Sequence, residues 1–265
     1  MNILVIGDSC IDEYIYCTTN RFCPDAPVPI LKPEAYVSTE GMAGNVADNL
    51  KSLGANVELI TNSNQIKKTR FVDNRTNHMF VRIDEGENDI FPIEQRTLQN
   101  IKWDEYDAVV ISDYNKGFIG YSEIDYIASK HPLTFLDTKK QIGNWANKIK
   151  FIKINKIELD QSIGFLHDNE KKYSKKVITT LGSKGAQYKG DIYPVEEVDV
   201  RDTSGAGDTF LAGLVYAYIK CTIGSFDLQI SEAIKFANRC STQIVQKKGT
   251  AKVNLKELNN YEVRV

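Results

Sequence analysis

Six short apolar runs recur along the chain with helical stretches between many of them: ILVIG (3–7), VELIT (57–61), AVVIS (108–112), LTFLD (133–137), FIKIN (151–155) and VITTLG (177–182). Runs this short and β-branched read as strands buried on both faces, the signature of a parallel sheet. The helical stretches are Val46–Leu53, Tyr121–Ser129, Ile142–Ile149 and Ile157–Ser162, with a longer one at Asp227–Val245. Strand alternating with helix specifies an α/β fold, a doubly wound sheet flanked by helices, with ligands at the strand C-termini. Two segments break the rhythm. Tyr14–Tyr36 carries Pro24, Pro27, Pro29 and Pro33 among alternating apolar residues, and Thr69–Asp84 reads as a hairpin. Both are expected outside the main sheet, as a small β lid on one domain spanning 1–265. An alternating pattern leaves such a lid an apolar face, so pairing with a second copy is expected.

Composition excludes several classes. With 33 basic and 35 acidic residues, net charge is −2, and no nucleic-acid footprint is present. No apolar run approaches the ~18 residues of a membrane span, and MNILVIGDS has neither the basic region nor the cleavage site of a signal peptide. Five cysteines without CxxC spacing fit reduced thiols in a cytoplasmic protein, and three scattered histidines argue against a zinc site.

The densest chemistry lies in RDTSGAGDTFLAG, 201–213. Turn and cap formers precede glycines that lead into an apolar helix, and such a helix N-terminus offers unpaired N–H groups to an anion. An acid at Asp208, beside that anion site, is electrostatically awkward unless it takes a proton from an attacking hydroxyl. The alternative is a glycine turn whose acid merely suits the helix dipole. Neither GxxxxGK[ST] nor a GxGxxG after the first strand is present, which argues against a P-loop enzyme and a nicotinamide-dependent dehydrogenase. Asp12 follows the first strand, Gly41-Met-Ala-Gly44-Asn45 precedes a helix, and Asn155 and Glu158 follow FIKIN as N-x-x-E. Singly, Asp12, Asn45 and Asn155 could each be a turn or helix cap.

In this order, these features resemble the ribokinase-like (PfkB) carbohydrate kinases across nearly the whole chain. IGDSCIDEYIY, NRFCPDAPVPI, AGNVADNLKSLGA, VVISDYNKGFI and VQKKGTA are similar to the heptose 7-phosphate kinases of that family. The resemblance implies a ribokinase-like fold and ATP-dependent phosphorylation of a phosphosugar, with the anomeric hydroxyl of heptose 7-phosphate as acceptor. It assigns Asp208 as catalytic base and Gly205, Ala206 and Gly207 as the anion hole. Asp12, Gly41 and Asn45 become sugar contacts, Asn155 and Glu158 organise Mg²⁺ and the ATP phosphates, with the metal held through water, and Thr180 and Gly182 lie on the nucleotide side. Asp202 and Ser204 match part of a monovalent-cation (K⁺) site. A remote phosphate needs cations, for which Arg21, Arg70, Arg75, Arg82 and Lys116 are available, with Arg75 and Lys116 put forward as substrate contacts. Three departures stand out: Gly41-Met42 replaces Gly-Gly, the stretch from Ile60 to Thr69 is short, and nothing resembles a nucleotidyltransferase half. Rival readings are a kinase of an unphosphorylated sugar or nucleoside, and a non-catalytic sugar- or nucleotide-binding relative.

Overall fold

A computed structural model describes residues 1–221 and 226–258. In chain order the strands are β1 (Asn2–Gly7), β2 (Ser9–Phe22), β3 (Pro29–Met42), β4 (Asn56–Thr61), β5 (Ile66–Asp73), β6 (Met79–Glu85), β7 (Ala108–Asp113), β8 (Thr134–Thr138), β9 (Phe151–Asn155), β10 (Val177–Thr180), β11 (Ala186–Tyr188) and β12 (Asp191–Tyr193). The helices are α1 (Ala43–Ser52), α2 (Gln95–Asn100), α3 (Tyr121–Lys130), α4 (Lys156–Asp168), α5 (Glu170–Tyr173), α6 (Ala206–Lys220), α7 (Phe226–Val245) and α8 (Leu255–Leu258).

The main sheet runs β12-β11-β10-β9-β8-β7-β1-β4, parallel from β10 to β4 and antiparallel at the β11 and β12 end. Because side chains alternate along a strand, each run feeds both faces. Ile3, Val5, Val110, Phe135 and Phe151 pack under α1, α6 and α7, while Leu4, Ile6, Val109, Ile111, Leu136 and Ile152 meet Ile124 and Ile127 of α3 on the other side. That two-sided burial is why the runs read as continuously apolar. Among the described residues no helix is long and apolar enough to cross a membrane.

One sequence expectation is corrected, and two strands were not anticipated. Ile142–Ile149 is not a helix but an irregular stretch with one short turn at Asn144–Ala146. Its Ile142, Ala146 and Ile149 are buried at helical spacing, yet Gly143 is extended and the Ile142 N–H donates to the Ser162 hydroxyl at 3.0 Å rather than along a helix. Strands β11 and β12, three residues each, fell below the length at which alternation is legible. The short stretch after Ile60 proves to be a direct passage, through 62–65, from β4 into β5 with no helix between.

A second sheet, β3-β2-β5-β6, takes in most of the two segments that break the rhythm. Strands β2 and β3 pair antiparallel, β5 lies parallel to β2, and β5 and β6 form the hairpin. Between the two sheets Asp8, fully buried, accepts N–H bonds from Tyr114 (2.7 Å), Phe118 (3.3 Å) and Lys116 (3.4 Å), so one carboxylate shapes the loop after β7. Burial raises its pKa, and Asp113 adds to that effect, while the three N–H bonds hold it down. Asp8→Ala would strand those donors and is expected to lower unfolding free energy by about 2–4 kcal/mol in chemical denaturation.

Candidate active site

The loop before α6 turns at Gly205, whose φ of 76° is a left-handed conformation that glycine adopts freely. Helix α6 then starts at Ala206, with Asp208 in its first turn and buried. Two clefts meet at this turn. One, of about 740 Å³, is lined by Thr180, Gly182, Thr203, Ala206 and Gly207 together with the valines Val195, Val198 and Val200. The other, of about 340 Å³, is lined by Asp12, Met42, Ser204, Gly205 and Asp208 and by five cations, Lys68, Arg70, Arg82, Lys116 and Lys139. The glycine turn therefore separates a larger, partly apolar cleft from a smaller, highly charged one.

Asp208 faces the charged cleft. One oxygen accepts from the Asn45 amide at 3.0 Å and the other from the Tyr114 hydroxyl at 2.6 Å. Burial pushes its pKa up to about 6, with nearby Asp137 adding to the rise and the two hydrogen bonds and Lys153 opposing it. A carboxylate with that pKa is ionised at neutral pH and close to balance with its acid, which suits proton exchange with a hydroxyl. Beneath the turn, Lys153 of β9 is buried and pairs with Asp137 of β8 at 2.7 Å. The Lys153 ammonium lies 2.9 Å from where a side chain on Gly207 would begin, so a cation backs the N–H groups of the turn.

Across the charged cleft, Asp12 pairs with Arg70 at 2.6 Å, and Arg70 in turn lies over the Tyr14 ring. Gly41 passes so close that an added Cβ would fall 2.4 Å from the Asp12 carboxylate. Glu87 bridges Lys68 and Lys116, and Asp84 pairs with Lys68 (3.0 Å) and Arg82 (2.7 Å). The Arg82 and Lys68 bonds hold Asp84 down at a pKa of about 2 against the effect of its burial.

Asn155 and Glu158 form a reciprocal capping box at the start of α4, with bonds of 2.9 and 2.7 Å, and Glu158 also pairs with Lys139. Neither lines the two clefts directly; Lys139 links them to the charged one. Asp202 accepts the N–H of Ser204 (2.8 Å) and of Gly249 (3.1 Å), tying the loop to the stretch after α7. Arg75 is apart from the site. It stands largely exposed on the β5–β6 turn beside Asp73, and Arg21 is exposed near the far end of β2. Sequence reasoning missed Tyr114, Lys68, Lys139, Lys153 and Asp137. Tyr114 and Lys139 follow strands on loops, the one signal available, whereas Lys153 and Lys68 sit inside strand patterns where a lysine reads as solvated.

A model of the pfkB family carbohydrate kinases matches residues 63–257. The chain belongs to that family. It is accordingly a carbohydrate kinase, a phosphotransferase. It is 30% identical to the bifunctional protein HldE of a Nitratiruptor species over 98% of its own length, and 29% identical to the HldE of a Helicobacter pylori strain over 97%. It spans 64% and 65% of those proteins. The fold matches phosphofructokinase-2 of Escherichia coli, with a TM-score of 0.71 at 15% identity over 97% of this chain and 96% of that one. It also matches Thermotoga maritima ribokinase, at 0.67 and 17% over 97% and 98%.

The raised pKa of Asp208 makes its ionisation oppose folding. The folded chain keeps the proton to a higher pH than the unfolded one, so the penalty is absent below about pH 4, grows as the unfolded carboxyl ionises, and is complete above about pH 6. Asp208→Asn is therefore expected to be more stable than the wild type by on the order of 1–3 kcal/mol at about pH 8 and equal to it at about pH 4, read by urea denaturation at both.

Proposed function

We propose that this kinase transfers the γ-phosphoryl group of ATP to a hydroxyl of a phosphosugar, with the anomeric hydroxyl of heptose 7-phosphate as the acceptor. The observation that carries the reading is the meeting of the two clefts at the turn of Gly205, Ala206 and Gly207, with Asp208 on the charged side. The larger cleft suits a nucleotide, with Thr180 and Gly182 along it and its valines available to a base. Its phosphates would then point at the α6 N-terminus, where N–H groups and the helix dipole favour anions. In the charged cleft, Asp12 has the chemistry to hold a sugar hydroxyl, and Lys68, Arg82 and Lys116 that to hold the remote phosphate. Asn45, also put forward as a sugar contact, is buried behind Asp208, to which it donates while accepting from Asn49, and does not line this cleft. Five cations line this cleft, each now paired with a carboxylate that a phosphate could replace, which supports a phosphorylated acceptor over a free sugar or nucleoside, and the similarity of the motifs to heptose 7-phosphate kinases supports the particular sugar.

In this reading Asp208 accepts the proton of the acceptor hydroxyl as its oxygen attacks the γ-phosphorus, and ADP leaves in line. The N–H groups of the turn, backed by Lys153, stabilise charge on the transferring group. The donor set fits Mg²⁺ held mainly by phosphate oxygens and water. Among the described residues no cluster of three metal-ligating side chains exists, and Glu158 already accepts bonds from Asn155 and Lys139. Glu158 and Asn155 would hold it through water, and it would supply charge neutralisation to the phosphates. For a monovalent cation, Asp202 and Ser204 remain the residues put forward.

Measured as ADP release across phosphosugars and free sugars, turnover is expected to require Mg²⁺ and to favour the phosphosugars. Asp208→Asn is expected to lose about 10²–10⁴ in turnover with ATP affinity little changed. Retention of more than about a tenth of wild-type turnover would remove Asp208 from the role of base.

The second sheet, as a lid, is proposed to pair with a second copy. On β6, Val81 and Ile83 are about half exposed and alternate with Arg82, which lines the charged cleft, so they occupy the opposite face. A homodimer is expected in sedimentation, and Ile83→Lys is expected to shift it toward monomer.

A further inference from the structure

Among the described residues, four other than glycine have positive φ: Met42, Asn77, Asn115 and Lys189. Asn77, Asn115 and Lys189 lie outside the core, and asparagine tolerates the left-handed region. Met42 is different. It is buried, with φ 56° and ψ −129°, a combination that side chains strain against and glycine takes freely. A glycine at this junction of β3 and α1 would relieve the backbone, so the methionine side chain must supply something that offsets its conformational cost.

What it supplies is a wall. The side chain packs with Cys10 and Ile66, with Ile90 and Tyr114 alongside, and it lines the charged cleft together with Cys10. The other groups around that cleft are almost all charged or hydroxylic. Gly41, just before it, has no side chain, and Ala43, just after it, is fixed by an N–H bond to the Asp8 carbonyl at 2.9 Å. Met42 is thus, with Cys10, the apolar side chain beside Asp12 in the cleft wall. A thioether forms no strong hydrogen bond, so an acceptor hydroxyl pressed against it would lose water without a partner.

We propose that Met42 is the specificity-determining residue of the acceptor cleft. It admits acceptors that turn a C–H face to it and excludes those that carry a further hydroxyl or carbon there. The proposal rests on the kinase reading above for its substrate class, and on the strained backbone and the cleft wall for its location.

The test compares wild type, Met42→Gly and Met42→Ala on a panel of pentose, hexose and heptose phosphates and free sugars. It uses kcat/KM for turnover and, separately, calorimetric binding. Both variants are expected to change the ratio between the best wild-type acceptor and bulkier ones by at least about tenfold, toward the bulkier, as small changes in pocket volume do. KM for ATP should stay within about twofold, since Met42 does not line the nucleotide-side cleft. Met42→Gly should melt at or above Met42→Ala, because only glycine relieves the backbone; a lower midpoint would overturn the part played by strain. An unchanged acceptor ranking in both folded variants would overturn the proposal, as would a panel in which none of the three proteins binds any sugar. Altered binding preference without turnover in any of the three would uphold Met42 and overturn the kinase reading instead.

Discussion

The carboxylate of Asp208 is where the molecule's parts are joined. It belongs to α6, but its hydrogen bonds come from Asn45 of α1 and from Tyr114 on the loop after β7. That loop is held in turn by Asp8, at the end of β1. Three segments far apart in sequence therefore meet at one buried acid, and a fourth holds one of the three in place. Burying an ionisable group without compensation is costly, and two hydrogen bonds offset only part of it, which leaves the pKa at about 6. The residual cost is a property of the site as well as a burden on the fold. A fully satisfied carboxylate would titrate far lower and bind a proton too weakly to accept one from a hydroxyl at neutral pH.

Charge around this acid is balanced pair by pair. Lys153 answers Asp137, Arg70 answers Asp12, Lys139 answers Glu158, and Lys68, Arg82 and Lys116 share Asp84 and Glu87. Ion pairs on open surface contribute little, whereas pairs that line a cleft hold long side chains in place before a ligand arrives. An anionic acceptor would exchange with Glu87 or Asp84 for the same ammonium and guanidinium groups rather than meet bare cations. The cleft is thereby kept from a large unpaired charge.

How much of this is legible in the sequence depends on how local each signal is. Glycine, an acid and an apolar helix within thirteen residues state the α6 turn outright, and all six parallel strands announce themselves as apolar runs, although β4, at the sheet edge, is only partly buried. Asn155 and Glu158 are legible as a spacing, and their bonds are those of a capping box. Tyr114 is hidden because its partner lies 94 residues away and a tyrosine in a polar loop has no pattern of its own. Lys153 is hidden by FIKIN, where four apolar or neutral residues mask one lysine that never reaches water. Arg75 draws attention because arginine suits phosphate, but the turn of a hairpin points outward, and the cleft cations come instead from the strands of that hairpin, at Lys68, Arg70 and Arg82.

The irregular features gather at one end of the sheet, and that has a physical reason. Parallel strands place their C-terminal ends together, and the chain must leave each of them through a loop or a helix N-terminus with unpaired N–H groups. Met42 at positive φ, Gly205 at positive φ and the buried Asp137 oxygen that has no partner all lie at such exits or at the junction with the second sheet. On the faces where α1, α3, α6 and α7 cover the strands, local preference and burial agree. Strain of this kind persists only where the surrounding structure over-determines it. The eight-stranded sheet with its two packed layers supplies that rigidity, and Met42 and Gly205, the two departures that line the charged cleft, depend on it.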